Sequence, residues 1–181
     1  MRKGKSINTY SGVEFWPLDP KKEEIKIRDI AHALSLMCRA NGHFKYFYSV
    51  AQHSLYCYYE AKNRNLSKKV QLACLLHDAS EAYLSDITRP VKAMLDKYLE
   101  AEEVLQNFIY EHYGVADLTK EEEALVKEID DAMLNYEMIN LLGVPKLNDL
   151  KLVKNYDLSF RNMKEVEDEF IDIINSYGIE E

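Results

Sequence analysis

Apolar side chains recur every three or four residues along most of this chain, the spacing of amphipathic α-helices. The pattern predicts helices over residues 27–38, 50–61, 70–84, 93–113, 119–142 and 156–177. Ser49 with Gln52, and Thr119 with Glu122, have the form of capping boxes at helix starts. Residues 6–20 instead mix β-branched and aromatic side chains with turn formers. The sequence therefore predicts an all-α helical bundle with a short extended or hairpin-like N-terminal lead-in.

The length of 181 residues suits one domain with one sizeable core. We expect a single domain over 1–181, with its core at about 25–142 and a C-terminal helix at 156–177. Only 6 Gly and 4 Pro occur, which favours a largely helical chain. The Glu180–Glu181 tail is expected to fray.

Charge and cysteine content restrict the class of partner and the compartment. The formal net charge of −8 argues against a broad surface for binding DNA or RNA, but it allows a small phosphorylated ligand. The cysteines Cys38, Cys57 and Cys74 are odd in number, lack a CxxC pair and fall in apolar helical patterns, so we expect reduced core residues. With no apolar leader behind the N-terminal cations and no long apolar run, a cytoplasmic protein without a membrane segment is predicted.

The predicted helix at 70–84 carries polar side chains where apolar ones are expected. At about 100° per residue, Glu81 projects between the directions of His77 and Asp78. An imidazole and two carboxylates grouped within one turn suit a divalent cation with a base beside it. A buried His–Asp pair with a purely structural role is the alternative interpretation of these residues.

Two further side chains extend this group. His53 lies one turn inside the helix that Ser49 caps, where a rigid scaffold can direct it. In the 119–142 helix, Asp130 falls at the border of the apolar stripe, whereas Asp131 falls on the far side and is expected to be solvated. His53, His77, Asp78 and Asp130 together offer two imidazoles and two carboxylates, enough to hold a cation that keeps sites for water and substrate.

The order His … His-Asp … Asp resembles the HD superfamily of metal-dependent phosphohydrolases. The segments that carry the resemblance are Leu-Leu-His-Asp-Ala-Ser-Glu at 75–81 and Asp-Ile-Thr-Arg-Pro-Val-Lys at 86–92. The similarity is greatest to the compact bacterial and phage 5′-deoxynucleotidases and deoxynucleoside triphosphohydrolases, and it extends from about residue 9 to 137.

The resemblance implies a role for each of nine residues. It implies His53, His77, Asp78 and Asp130 as ligands of one divalent metal, which could be Co, Mn, Zn, Ni, Fe or Mg. It implies Glu81 and Asp86 as catalytic acid/base and orienting groups, without fixing which is acid and which is base. Contacts to substrate phosphate are implied for Arg39, Lys92 and Lys127. Surface lysines and an aspartate that merely ends a helix are the alternatives for Lys92, Lys127 and Asp86.

The function that this resemblance implies is hydrolysis of a small-molecule nucleotide, with a (deoxy)nucleoside 5′-monophosphate as the leading substrate. A deoxynucleoside triphosphate triphosphohydrolase is the alternative within the family. A non-catalytic HD module that senses nucleotides is the alternative of another class. The resemblance also implies a homo-oligomer.

Overall fold

Within residues 2–179, which the computed structural model describes, the chain forms eight α-helices and one two-stranded antiparallel hairpin. The strands are β1 (Ile7–Asn8) and β2 (Glu14–Phe15). The helices are α1 (Ile27–Leu36), α2 (Val50–Asn63), α3 (Lys68–Leu76), α4 (Glu81–Leu84), α5 (Arg89–Lys92), α6 (Asp96–His112), α7 (Lys120–Glu137) and α8 (Met163–Ser176). The predicted all-α bundle with an N-terminal hairpin is confirmed. The Glu180–Glu181 tail lies outside the described residues.

The hairpin is fastened to the bundle at its turn and at its second strand. Ile7 pairs with Phe15 across the strands. The Ser11 backbone amide and hydroxyl both donate to the buried Asp29 carboxylate of α1, at 2.6 and 2.7 Å. Phe15 is fully buried and stacks on Tyr83 of α4, with ring centroids 4.0 Å apart. The lead-in therefore closes one end of the core.

Helix α2 lies at the centre of the bundle and packs against α1, α3, α7 and α8. Every residue from Val50 to Tyr58 is buried, including the polar ones. Two apolar clusters meet at this helix: one includes residues of the hairpin, α1, α3, α6 and α8, and the other includes residues of α3 and α7. Burial of a polar side chain on such a helix costs free energy unless the side chain has a hydrogen-bond partner. The partners of His53 therefore locate the polar site.

The single helix predicted at 70–84 is interrupted. Helix α3 ends at Leu76, and α4 begins only at Glu81. Between them the amides of Ala79 and Glu81 bond to the carbonyls three residues earlier, both at 3.0 Å. Bonds of this spacing form 3₁₀ turns, in which side chains three residues apart eclipse each other. The direction of Glu81 relative to His77 and Asp78 therefore differs from that in one continuous α-helix.

Two other predicted helices start later than expected. The helix expected at 93–113 begins at Asp96, because the separate helix α5, with Pro90 in its first turn, precedes it and a turn joins the two. Met94 lies in that turn and is 81% exposed instead of packing in the core. The helix expected from Tyr156 begins at Met163, with Asn162 as its N-cap. Upstream of it the chain is irregular, and the Ser159 carbonyl accepts a bond from the Gln52 side chain.

The capping predictions have mixed outcomes. Thr119 and Glu122 form both bonds of the predicted capping box. Ser49 accepts from the Gln52 amide at 3.1 Å, but the Gln52 side chain donates to Ser159 instead of reaching back. Helix α7 ends at Glu137 and continues as one π-helical turn, Met138–Leu142, before Gly143 with a φ of 72°.

The burial of the cysteines and the character of the helices can be compared with what the sequence predicts. Cys57 and Cys74 are buried as expected, whereas Cys38 is exposed and not a core residue. Among the helices of residues 2–179, none combines the length and the apolar character needed to cross a membrane.

Candidate metal centre

His53 is held in the middle of the bundle with one ring nitrogen directed toward neighbouring ligand groups. Its Nδ1 lies 2.7 Å from Oε1 of Glu137, and both side chains are fully buried. A carboxylate accepts a proton but cannot donate one when ionised, so Nδ1 carries the hydrogen. In the neutral ring, that tautomer leaves the lone pair of Nε2 available to a ligand.

His77 follows the last residue of α3 and is oriented in the same way. Its Nδ1 donates to the Cys74 carbonyl at 2.8 Å, which again leaves Nε2 with the lone pair. The Nε2 atoms of His77 and His53 lie 3.3 Å apart. Neighbouring helices thus direct two imidazole lone pairs toward one point.

Two carboxylates complete the group. Oδ2 of Asp78 lies 3.3 Å from Nε2 of His77 and 3.9 Å from Nε2 of His53. Oδ1 of Asp130 lies 3.3 Å from Nε2 of His53 and 3.7 Å from Nε2 of His77. Separations of this size are edges of a coordination polyhedron whose centre is about 2.0–2.4 Å from each donor, the range of divalent metal–ligand bonds. The structure therefore brings together the four side chains that the sequence nominates as ligands.

Cys57 offers a second ligand set with the same histidines. Its Sγ lies 3.5 Å from Nε2 of His53, and His53, Cys57 and His77 form a group that could hold a metal ion. Burial raises the pKa of the Cys57 thiol to about 11, so the sulfur is protonated unless a cation displaces the proton. Cys57 is buried, whereas the Asp78 and Asp130 side chains are each 20% exposed.

The charges in the cluster reinforce one another. Burial opposes protonation of both histidines, but the surrounding acidic groups keep the pKa of His53 well above its usual range and also raise that of His77. Burial also opposes ionisation of Asp130, yet hydrogen bonds with His53 and His77 hold the pKa of Asp130 well below its usual range. Without a cation, protons on the imidazoles balance the carboxylates. A divalent ion could replace those protons.

Arg39 lies beside the cluster and pairs with two of its carboxylates. It is buried, with Nη1 3.1 Å from Oδ2 of Asp78 and Nε 3.3 Å from Oε2 of Glu137. Its amide donates to the Tyr48 carbonyl at 2.9 Å, and the next residue, Ala40, has a φ of 52°. Left-handed backbone at a residue with a side chain is costly and persists only where the surroundings enforce it. The turn fixes the guanidinium beside the cluster.

Glu81 lies at the cluster in a buried position. Oε1 is 3.3 Å from the Lys92 ammonium, and Oε2 has no hydrogen-bond partner among the described residues. Burial raises the pKa of Glu81 well above its usual range, and the charges of Asp78 and Asp86 raise it further. Burial also raises the pKa of Asp86. Both candidate acid/base groups are thus shifted toward the protonated form.

The two lysines nominated for phosphate contacts are engaged elsewhere. The Lys92 ammonium lies between Glu81 and Glu102, with the Glu102 oxygen 2.7 Å away. Lys127 is not brought to the cluster: its side chain is 71% exposed and its ammonium lies 2.6 Å from Asp131. Helical phase alone directs Lys127 toward the candidate ligands, but Asp131 lies one turn further along α7 and pairs with the Lys127 ammonium instead.

Arg89, which the sequence did not single out, bridges Asp130 and Asp131. Its two terminal nitrogens lie 2.6 Å from Oδ2 of Asp130 and 2.6 Å from Oδ1 of Asp131, and its side chain is 53% exposed. Asp131 is therefore ion-paired and not free in solvent as expected. One oxygen of Asp130 faces the cluster and the other pairs with Arg89, so the Arg89 guanidinium orients this candidate ligand.

Sequence reasoning also missed Glu137 and Cys57, although a signal existed for each. Glu137 follows Asp130 by seven residues, which returns it to the same face of α7 after two turns. Cys57 follows His53 by four residues and shares its face of α2. Arg89 lies in the segment 86–92 that carries the resemblance, but its pairing with Asp130 and Asp131 depends on how α5 approaches α7.

The relatives found by comparison with known proteins are uncharacterized proteins, so their names state no activity. No family model matches the chain. It is 40% identical over 109 residues to the uncharacterized protein YfdR of Escherichia coli, an alignment that covers 60% of this chain and 58% of YfdR. The chain thus matches less than two thirds of YfdR's length. It is 36% identical over 132 residues to the uncharacterized protein RCAP_rcc00048 of Rhodobacter capsulatus, covering 70% of this chain and 67% of that protein. The chain belongs to the family of RCAP_rcc00048.

Proposed function

We propose that this protein is a metal-dependent phosphohydrolase that removes phosphate from nucleoside 5′-monophosphates. The observation that carries the proposal is the convergence of two imidazole nitrogens and two carboxylate oxygens at metal-ligand spacing. The resemblance of these same residues to the HD superfamily supplies the reaction class. Glu81, buried beside the cluster with a raised pKa, supplies a proton donor.

His53, His77, Asp78 and Asp130 would hold the ion, and the four donors suit a borderline divalent metal. Such an ion supplies Lewis-acid stabilisation of phosphoryl charge and lowers the pKa of a water molecule bound to it. Buried Arg39, next to Asp78, offsets further negative charge on the phosphate.

Glu81 and Asp86 move the protons in this proposal. Glu81, as the neutral acid, donates its proton to the 5′ oxygen as the bond from that oxygen to phosphorus breaks. Asp86, as the carboxylate, accepts the proton released by the water that adds to phosphorus. Lys92, held beside Glu81, stabilises the Glu81 carboxylate that this transfer leaves behind. The stronger upward shift of the Glu81 pKa favours this assignment over the reverse one.

The positions of the cations favour a monophosphate. Additional phosphates need additional charge-assisted contacts. Lys92 is engaged by Glu81 and Glu102, and Lys127 extends into solvent beside Asp131. Exposed Arg89 is the observation that favours triphosphate hydrolysis as the second candidate, because a phosphate chain leaving the cluster could reach its guanidinium.

Metal analysis and a panel of deoxynucleotides test the proposal. We expect about one divalent ion per chain and release of inorganic phosphate from monophosphates. Asp78→Ala should abolish both metal binding and turnover, while Asp117→Ala, a matched change at an exposed aspartate, should alter neither. Full activity in Asp78→Ala would contradict the site assignment. Bound metal and nucleotide without turnover would favour the non-catalytic sensing module.

The expected homo-oligomer also remains a proposal. Apolar side chains are exposed at Val91 of α5 and at Met94 and Leu95 in the turn that follows it, close in sequence to Lys92 of the candidate site. An exposed apolar patch of this kind supports association between copies. Sedimentation of the parent protein and of Met94→Glu would test it, because a charge at an interface should shift the mass toward the monomer.

A further inference from the structure

The turn that carries Asp86 has an unusual backbone. Ser85, which follows the last residue of α4, has a φ of 81° and a ψ of 149°. Only glycine occupies this region without penalty, so a serine there is strained unless its surroundings hold it. The Ser85 amide donates to the Glu81 carbonyl at 2.8 Å. The strain therefore lies between the two candidate acid/base residues.

Tyr98 of α6 holds this turn from outside. Its hydroxyl donates to the Ser85 carbonyl at 2.6 Å, and its oxygen lies 3.3 Å from Oε1 of Glu102. The same Glu102 oxygen lies 2.7 Å from the Lys92 ammonium, which in turn lies 3.3 Å from Glu81. The phenol thus joins the strained peptide to the charged groups beside the site.

We propose that Tyr98 is a positioning residue, whose hydroxyl holds the Ser85–Asp86 peptide in its strained conformation and so directs the Asp86 carboxylate toward the metal cluster. Without that bond the peptide relaxes to ordinary negative φ, and the carboxylate that follows turns away. Asp86 is partly buried although Ser85 before it is exposed, which agrees with an inward direction of the carboxylate. The kinetic consequences rest on the proposed function, whereas the conformational consequence does not.

Tyr98→Phe is the direct test, because it removes only the hydroxyl. We expect kcat/KM for a nucleoside monophosphate to fall about tenfold with metal content unchanged, the loss expected for one hydrogen bond. Tyr136→Phe is the matched control, since that hydroxyl donates to the Tyr156 carbonyl at 3.1 Å. It should leave kcat/KM unchanged.

Two double variants separate positioning from general packing. In an Asp86→Asn background, Tyr98→Phe should cause no further loss, because its effect passes through that carboxylate. Adding Ser85→Gly to Tyr98→Phe should restore kcat/KM to within about threefold of the parent, because glycine accepts the strained conformation without penalty. A Tyr98→Phe loss that is equally large without Asp86, or that glycine leaves unchanged, would overturn the proposal.

Hydrogen exchange at the amides of residues 84–88 gives a test that needs neither metal nor substrate. Tyr98→Phe should speed exchange there, and Ser85→Gly should not reverse this, because glycine removes strain but adds no bond. Faster exchange would support the hold on the turn even if no nucleotide were hydrolysed, in which case only the proposed function would fail. Exchange at the parental rate would overturn the role of Tyr98.

Discussion

Replacing Glu137 with glutamine removes one charge from beneath the candidate metal centre and keeps the side-chain shape. The parent carboxylate accepts from Nδ1 of His53 at 2.7 Å and from the Tyr48 hydroxyl at 2.9 Å, and its other oxygen pairs with Arg39 at 3.3 Å. Each hydrogen bond to a charged group contributes about 1.5–3 kcal/mol, and removing one partner of a buried ion pair costs about 3–5 kcal/mol. We expect the free energy of unfolding to fall by about 3 kcal/mol.

The same change should weaken metal binding about 10- to 100-fold, the usual cost of removing a partner behind a ligand. The neutral amide makes His53 less basic and can present its own N–H groups to Nδ1, which would favour the wrong tautomer. Urea unfolding and competition with a chromophoric chelator measure the two effects on one preparation.

Glu60→Gln is a matched control for that experiment. Glu60 is also fully buried and accepts from Arg64 at 2.8 Å and from the Tyr156 hydroxyl at 2.9 Å. It lies two turns beyond His53 on α2, about 10 Å along the axis. We expect Glu60→Gln to lower stability but to leave metal affinity unchanged. Equal metal affinity in parent, Glu60→Gln and Glu137→Gln would refute the assigned role of Glu137.

Three further outcomes follow from the site. Asp130→Asn should lower metal affinity at least about tenfold. Asp131→Asn should retain the metal and change the free energy of unfolding by less than about 1 kcal/mol, because the partners of Asp131 are exposed cations. Equal loss of metal in the two variants would contradict the geometry. Glu81→Gln should retain metal and slow kcat by about 10²–10⁴-fold, and loss of metal would instead make Glu81 a ligand. Because the pKa values of His53 and His77 are raised, metal binding at neutral pH should release protons and weaken as the pH falls; calorimetry in two buffers of different ionisation enthalpy measures this, and zero release would refute it.

Local sequence signals predicted the parts of the fold that local chemistry determines. Helices α1, α2 and α7 begin at or within one residue of the predicted positions, because caps such as Ser49 and Thr119 act on their own amides. The break after Leu76 was missed, since the apolar period continues through a 3₁₀ turn. The irregular chain before Met163 was missed as well, because its backbone is satisfied by side chains of α2.

In the candidate site, too, the sequence predicted what one helix determines and missed what depends on contacts between helices. Helical phase distinguished Asp130 from Asp131, because direction relative to an apolar stripe is encoded within one helix. Phase could not show that Lys92 is held between Glu81 and Glu102, since those side chains belong to three different helices. Whether the four donors bind an ion stays a prediction that the metal analysis decides.

The donors of the candidate site come from α2, from the turn that follows α3 and from α7, and no short stretch of chain contains enough of them to retain an ion. In the proposed site, a growing polypeptide would therefore acquire metal only after Asp130 had been made and α7 had docked. An ion that binds only the folded chain adds about 2.7 kcal/mol at a hundredfold excess over its Kd. The supply of metal would then determine how often α2, α3 and α7 separate, and hence how long the protein survives proteases. The contact between α1 and α8 contains none of the metal donors, so a bound ion would not hold these two helices together.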